Sequence, residues 1–193
     1  MEKITYLIDP AELGIILLWE DQTGCFRPQA IWGPAVQDRE AAFAIKLQAG
    51  ESITGKVFTE NKAMFLDTAT AVAAEKANLT PENLETMHKI YGSSILPKSL
   101  IAIPISAADK KYGDLVLETL YGLSTFTNSD IPFVQALADL VALEIDRVRL
   151  NAEAAVVRET HEANRLRTEI LATLSHELRT PHHQGVRDCP AAR

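Results

Sequence analysis

Ser99-Leu100-Ile101-Ala102-Ile103-Pro104-Ile105 and, after the polar stretch Ala108-Asp109-Lys110-Lys111, Tyr112-Gly113-Asp114-Leu115-Val116-Leu117-Glu118-Thr119-Leu120 decide the fold. Each run is apolar, rich in branched side chains and too short for a packed helix, so the pair reads as a β-hairpin. Working outward, a second hairpin spans Asp9 to Gly33: Leu13 to Trp19 is a strand, Glu20-Asp21-Gln22-Thr23-Gly24 is turn chemistry, and Cys25 to Trp32 returns. Met64-Phe65-Leu66 adds a short strand, for a sheet of at least four or five. Arg39 to Ala49 has helical composition and ends at Gly50, and Ile53, Val57 and Phe58 follow it. Between Thr70 and Tyr91, alanine-rich stretches and the Thr80-Pro81 start signal predict two short helices, placed like a lid over the sheet.

Composition narrows the partners. The chain has 193 residues, 47% hydrophobic and 23% charged, enough for one ordinary core and an appendage. Lys and Arg total 19 against 26 Asp and Glu, a net charge of −7, which argues against nucleic acid and anionic membrane as partners. The longest apolar run, Leu13 to Trp19, is too short to cross a bilayer and Met1 opens no secretory pattern, so a cytoplasmic location is expected. Cys25 and Cys189 form neither a disulfide framework nor a zinc ribbon; Cys25 reads as a buried structural thiol.

After Thr127, with Asp130 three residues on, no Gly or Pro follows Pro132 until Pro181. One helix is expected over nearly that whole span. Phe133, Leu137, Leu140, Val141 and Leu143 suit packing on a sheet. Ile145, Val148, Ala152, Ala155, Ala163, Leu166, Ile170 and Leu174 form a thinner, coiled-coil-like stripe, irregular around Glu159 and Glu162.

That helix leads into Ser175-His176-Glu177-Leu178-Arg179-Thr180-Pro181. An imidazole attacks phosphorus only with one nitrogen unprotonated, so it needs a neighbour to hold its tautomer and take its proton, and Glu177 adjoins His176. Thr180 falls one turn beyond His176, and Pro181 bends the helix just past it. The seven residues resemble the H-box of sensor histidine kinases. The resemblance implies His176 as phosphoacceptor, Glu177 as its acid/base partner and Thr180 as the residue orienting water in the reverse phosphatase reaction. His88 and His161 stand in polar helical settings and read as solvated; His182-His183 has no acidic or cysteine partner at ligand spacing, so no metal site is expected.

Upstream, Gly50-Glu51-Ser52-Ile53-Thr54-Gly55-Lys56-Val57, the two strands quoted first, and Phe126-Thr127-Asn128-Ser129-Asp130 resemble GAF domains in order and spacing, over roughly residues 9 to 147. This implies an α+β fold, a central antiparallel sheet flanked by helices and followed by a long C-terminal signalling helix. Any ligand pocket would lie in the lid, Thr70 to Pro97. The ligand is left unknown: no cysteine stands in the lid for a bilin, and Asn61-Lys62 with Phe65 and Asp67 is too tightly spaced for the cyclic-nucleotide pattern.

The organisation expected is a GAF-like sensory domain over 1–147, a coiled-coil linker over 148–165, the incomplete first helix of a phosphoacceptor domain over 166–181, and an atypical tail over 182–193. The tail lacks the family's apolar stripe and reads as truncated, frameshifted or cloning-derived, with no nucleotide-binding boxes. The chain is therefore expected to hold no cofactor of its own, ATP and magnesium arriving only with a separate catalytic domain. The expected partners are a second copy in a parallel homodimer, a histidine kinase catalytic domain, a response regulator aspartate and a small-molecule ligand. The competing reading is a non-enzymatic ligand-binding or dimerisation module.

Overall fold

The computed structural model describes residues 8, 10–92 and 96–179, with side chains through 170. The chain divides into two compact units, Met1–Asp146 and Arg147–Arg193. In the first, β1 (Leu13–Glu20), β2 (Cys25–Trp32), β3 (Leu47–Gln48), β4 (Met64–Leu66), β5 (Ser99–Ala107) and β6 (Lys110–Thr119) form one sheet in the order β3-β2-β1-β6-β5-β4. Each pair of neighbouring strands is antiparallel. Four helices intervene along the chain: α1 (Arg39–Ala44), α2 (Ser52–Glu60), α3 (Ala69–Lys76) and α4 (Pro81–Tyr91). A capping box at Thr127 and Asp130 opens a 3-10 turn, Asn128–Asp130, which leads into α5 (Ile131–Arg179).

Alternation along the strands builds two cores. Leu13, Ile15 and Leu17 of β1, with Leu100, Ala102 and Val116, join Val57, Val72, Met87 and Ile90 of α2 to α4. Ile16, Trp32, Ile101, Ile103, Leu115 and Leu117 face the opposite way and pack with Val134, Ala138 and Ala142 of α5. The four-residue spacing of those three, two of them alanine, keeps one narrow face of the helix against the sheet. Gly14 makes room on that side, since a Cβ there would stand 2.2 Å from the Trp32 ring.

Prolines sit where the ladder tolerates them. Pro104 lies beyond Ala102, the last β5 residue paired with β4, so only β6 flanks it. Pro28 pairs with Leu17 at a register shift. Both positions lack one hydrogen-bonding neighbour or a regular ladder, which is where a residue without N–H does least harm.

The helix expected over Arg39 to Ala49 ends at Ala44. Ile45 is extended, and Ile45 and Leu47 are buried while Lys46 and Gln48 are exposed. That period of two, with Leu47 opposite Phe26, makes an edge strand where composition alone suggested helix. The turn between β5 and β6 is likewise shorter than expected: Ala107 pairs with Lys110, leaving only Ala108 and Asp109. Ala108 takes a φ of 50° to close it.

Glu12 ties the sheet to the segment after β6. Its Oε2 accepts from the backbone N–H groups of Leu120 and Tyr121, each at 2.6 Å, and of Gly122 at 3.1 Å. Burial pushes this carboxyl up, but those three donors and the nearby Lys98 charge outweigh it and hold the group below its usual range.

The second unit is described on its own. From residue 151 to 170 every residue of α5 is exposed, including Val156, Val157, Leu166 and Ile170. Arg149 and Glu153 form an i,i+4 ion pair of 2.7 Å. Among the described residues no helix is long and apolar enough to cross a membrane.

Candidate functional site

The two helices expected as a lid are present, and each has a clear start. Thr68 caps α3 by accepting from Ala71 N–H, and Thr80 caps α4 by accepting from Asn83 N–H, with Pro81 in its first turn. In α3, Val72 and Lys76 are buried one turn apart; in α4, Asn83, Met87, Ile90 and Tyr91 form the buried face. The last residue of each helix therefore points a polar group inward, and β6 meets them with Glu118.

These three side chains close a triangle. Lys76 Nζ donates to Glu118 Oε1 at 2.9 Å and to Tyr91 Oη at 2.9 Å, and Tyr91 Oη donates to Glu118 Oε2 at 2.6 Å. Lys76 is 8% exposed, and Tyr91 and Glu118 are 2% exposed. The Lys76 ammonium also lies 4.7 Å from the centroid of the Tyr91 ring. Burial, then the Glu118 charge and hydrogen bond, push the Tyr91 phenol well above its ordinary value, so it stays protonated and donating. A buried pair of this kind contributes little net stability, because desolvation offsets attraction, yet it fixes which groups must meet.

Beside the triangle is a cavity of about 220 Å³ lined by Lys76, Leu79, Leu84, Met87, His88, Tyr91 and Leu96. Its floor is Tyr91 and Met87, both buried; Leu84 and Leu96, 45% and 48% exposed, stand at its mouth. Among the described lining residues only Lys76, Tyr91 and His88 carry polar side-chain atoms. The arrangement can hold a small molecule against one buried ammonium.

A second polar knot anchors the lid. Glu51 accepts from Gln48 N–H at 2.8 Å, Thr80 N–H at 2.7 Å and Asn83 Nδ2 at 2.9 Å. Burial raises the Glu51 carboxyl, but the Asn83, Gln48 and Thr80 donors together hold it below the usual value. Asn78 accepts from Ser52 N–H and donates to Gly50 O, each at 2.8 Å. Close approach of the α2 start to Gly50 requires Gly55, where a Cβ would lie 2.3 Å from Gly50 N. Asp114 is different: neither carboxyl oxygen has a partner among the described residues, and burial alone pushes it well above the ordinary carboxylate range.

His176 and Glu177 fall within the bounds of α5, but their side chains lie outside the described residues, as do Thr180, Pro181 and His182-His183. His88 is exposed at the cavity mouth and His161 is exposed on α5. Cys25 is buried, its Sγ 3.1 Å from Thr23 Oγ1. Among the described residues no group of three or more His, Cys, Asp or Glu could hold a metal ion. Sequence reasoning placed the lid and missed the triangle. The available signal was Glu118, a charge inside the run Leu115-Val116-Leu117-Glu118-Thr119-Leu120.

The profile described as the GAF domain matches residues 7–145. The hybrid signal transduction histidine kinase G of Dictyostelium discoideum is 25% identical over 93 residues, 44% of this chain and 3% of that protein. The chain therefore spans only a small part of that relative's length. The GAF domain of an Acinetobacter phosphoenolpyruvate-protein phosphotransferase superposes with a TM-score of 0.60 at 16% identity, covering 77% of this chain and 78% of the other. The GAF domain of a two-component sensor histidine kinase from Bacillus halodurans gives 0.54 at 16% identity, covering 77% and 90%. At these identities the likeness is one of fold.

Proposed function

Since the chain belongs to the GAF domain family, we propose that it is the sensory and phosphoacceptor portion of a two-component histidine kinase, in which a small molecule held beside Lys76 and Tyr91 alters phosphoryl acceptance at His176. The observation that carries the sensory half is the buried triangle, which joins the last residues of both lid helices to β6 next to an open cavity. A ligand there competes for the same donors and so acts on the lid and the sheet together. The phosphorelay half is supported by Ser175 to Pro181 on the sequence and by the relative that is itself a hybrid histidine kinase.

In this reading His176 accepts the phosphoryl group, Glu177 takes up the imidazole proton, and Thr180 orients water in the reverse reaction. Residues 1–147 sense, 148–165 form a coiled-coil linker, and 166–181 begin the phosphoacceptor domain. The exposed stripe Val148, Leu166 and Ile170 supports a parallel homodimer. ATP and magnesium come with a kinase catalytic domain acting on the chain, and a response regulator aspartate receives the group.

The test is phosphotransfer from ATP through an active histidine kinase catalytic domain to the chain and to His176→Gln. Acid-labile, base-stable label on the parent alone is the expected result. Equal absence of label from both, in folded dimeric protein, overturns the phosphoacceptor assignment and leaves a ligand-binding module.

A further inference from the structure

The cavity beside Lys76 is small, mostly apolar and balanced in charge, and these properties together specify what it holds. Resting on the reading of this cavity as the sensory site, we propose that it takes an uncharged molecule of about one ring bearing a single hydrogen-bond acceptor, aligned by the Lys76 ammonium, and discriminates against carboxylates of the same shape.

Size sets the first bound. At about 220 Å³ the cavity exceeds the ~150 Å³ that admits benzene to an apolar protein cavity and falls short of the ~300 Å³ at which sites for drug-sized ligands begin. A nucleotide or a tetrapyrrole is too large. The walls favour a flat apolar body, with Leu79, Leu84 and Leu96 aliphatic, Met87 offering a polarisable thioether and Tyr91 a ring.

Hydrogen-bond capacity sets the second. An ammonium has three donors. Glu118 Oε1 and Tyr91 Oη take two of the three at Lys76, and among the described residues no side chain accepts the third. Tyr91 spends its hydroxyl proton on Glu118, and both Glu118 oxygens are engaged. One acceptor on the ligand completes the donor set of the ammonium.

Charge sets the third. The Lys76 cation is matched by the Glu118 anion. A carboxylate entering the cavity loses its hydration for an ammonium that is already neutralised, and it stands near Glu118. An uncharged carbonyl loses much less hydration and meets no repulsion from Glu118.

The probes are acetophenone and benzoate, which share a ring and differ in carbonyl against carboxylate, titrated calorimetrically at pH 8 into the full chain and into Leu84→Trp, which fills the mouth. Acetophenone is expected to bind at least about tenfold more tightly than benzoate, and Leu84→Trp to weaken acetophenone by at least about tenfold without losing the fold. Benzoate binding as tightly as acetophenone overturns the ligand class and leaves the cavity as the sensory site. Acetophenone binding equally to parent and Leu84→Trp, or failure of both probes to bind the parent, overturns the sensory site itself.

Discussion

A carboxyl group with both oxygens buried and no donor in reach, as at Asp114, keeps its proton when the chain folds. Its folded affinity for the proton is raised above the ordinary 3.8, so the stability it contributes is fully present below that pH and is lost as pH rises through the folded value. Glu12 and Glu51 run the other way: each is held below 4.5, so their contribution is present above that pH and is lost as pH falls through their folded values. Asp114→Asn is expected to stabilise the domain by about 1–3 kcal/mol at pH 8 and to leave the acid limb unchanged. Urea unfolding at pH 4, 6 and 8 checks this, and an alkaline limb as steep as the parent's overturns it. Nothing in the sequence around Asp114 distinguishes an orphan from a paired carboxylate; only the burial of the strand on both faces does.

At the scale of elements, the polar groups at the ends of the lid helices fix where the lid meets the sheet, while its apolar face packs into the core. Lys76→Met leaves the Glu118 carboxylate buried with Tyr91 alone and is expected to cost about 3–5 kcal/mol, whereas Lys76→Met with Glu118→Gln recovers most of the loss. Denaturant midpoints of the two variants decide it, and equal losses in both would refute a pair that acts as a unit. The strands and both lid helices were legible because their signals are local: apolar runs bounded by turns, and a Thr-Pro start. Residues 45 to 48 misled because the alternation of Ile45 and Leu47 spans too few residues to outweigh the alanines before it, and pairing with Phe26, a long-range event, settles the matter. The triangle was illegible for the same reason, since Lys76 and Glu118 are joined by a hydrogen bond across 42 positions of sequence. A lysine in an alanine-rich helix otherwise reads as a solvated charge.

For the whole molecule, the division after Asp146 carries its own expectation. Both hydrophobic cores are built from residues within 1–146, the last of them Ile145. A chain ending at Asp146 is expected to keep its unfolding temperature within about 4 °C of the parent, a shift corresponding to roughly 1 kcal/mol in a domain of this size, and, on the proposed homodimer, to sediment as a monomer while the full chain is expected to sediment as a dimer. A dimer that survives the deletion places the contact in the first unit. The sheet itself offers a means of following each side of that unit separately. Trp19 stacks on Phe58 and meets Phe26 edge-on toward α2 and donates to Asp21, whereas Trp32 is buried toward α5 with no partner for its Nε1 among the described residues. With two tryptophans in the chain, the protein carries one tryptophan on each side of the sheet. Replacing either by phenylalanine leaves the other as a reporter, so emission from Trp19 follows the aromatic packing of the lid side while emission from Trp32 follows the seating of the signalling helix.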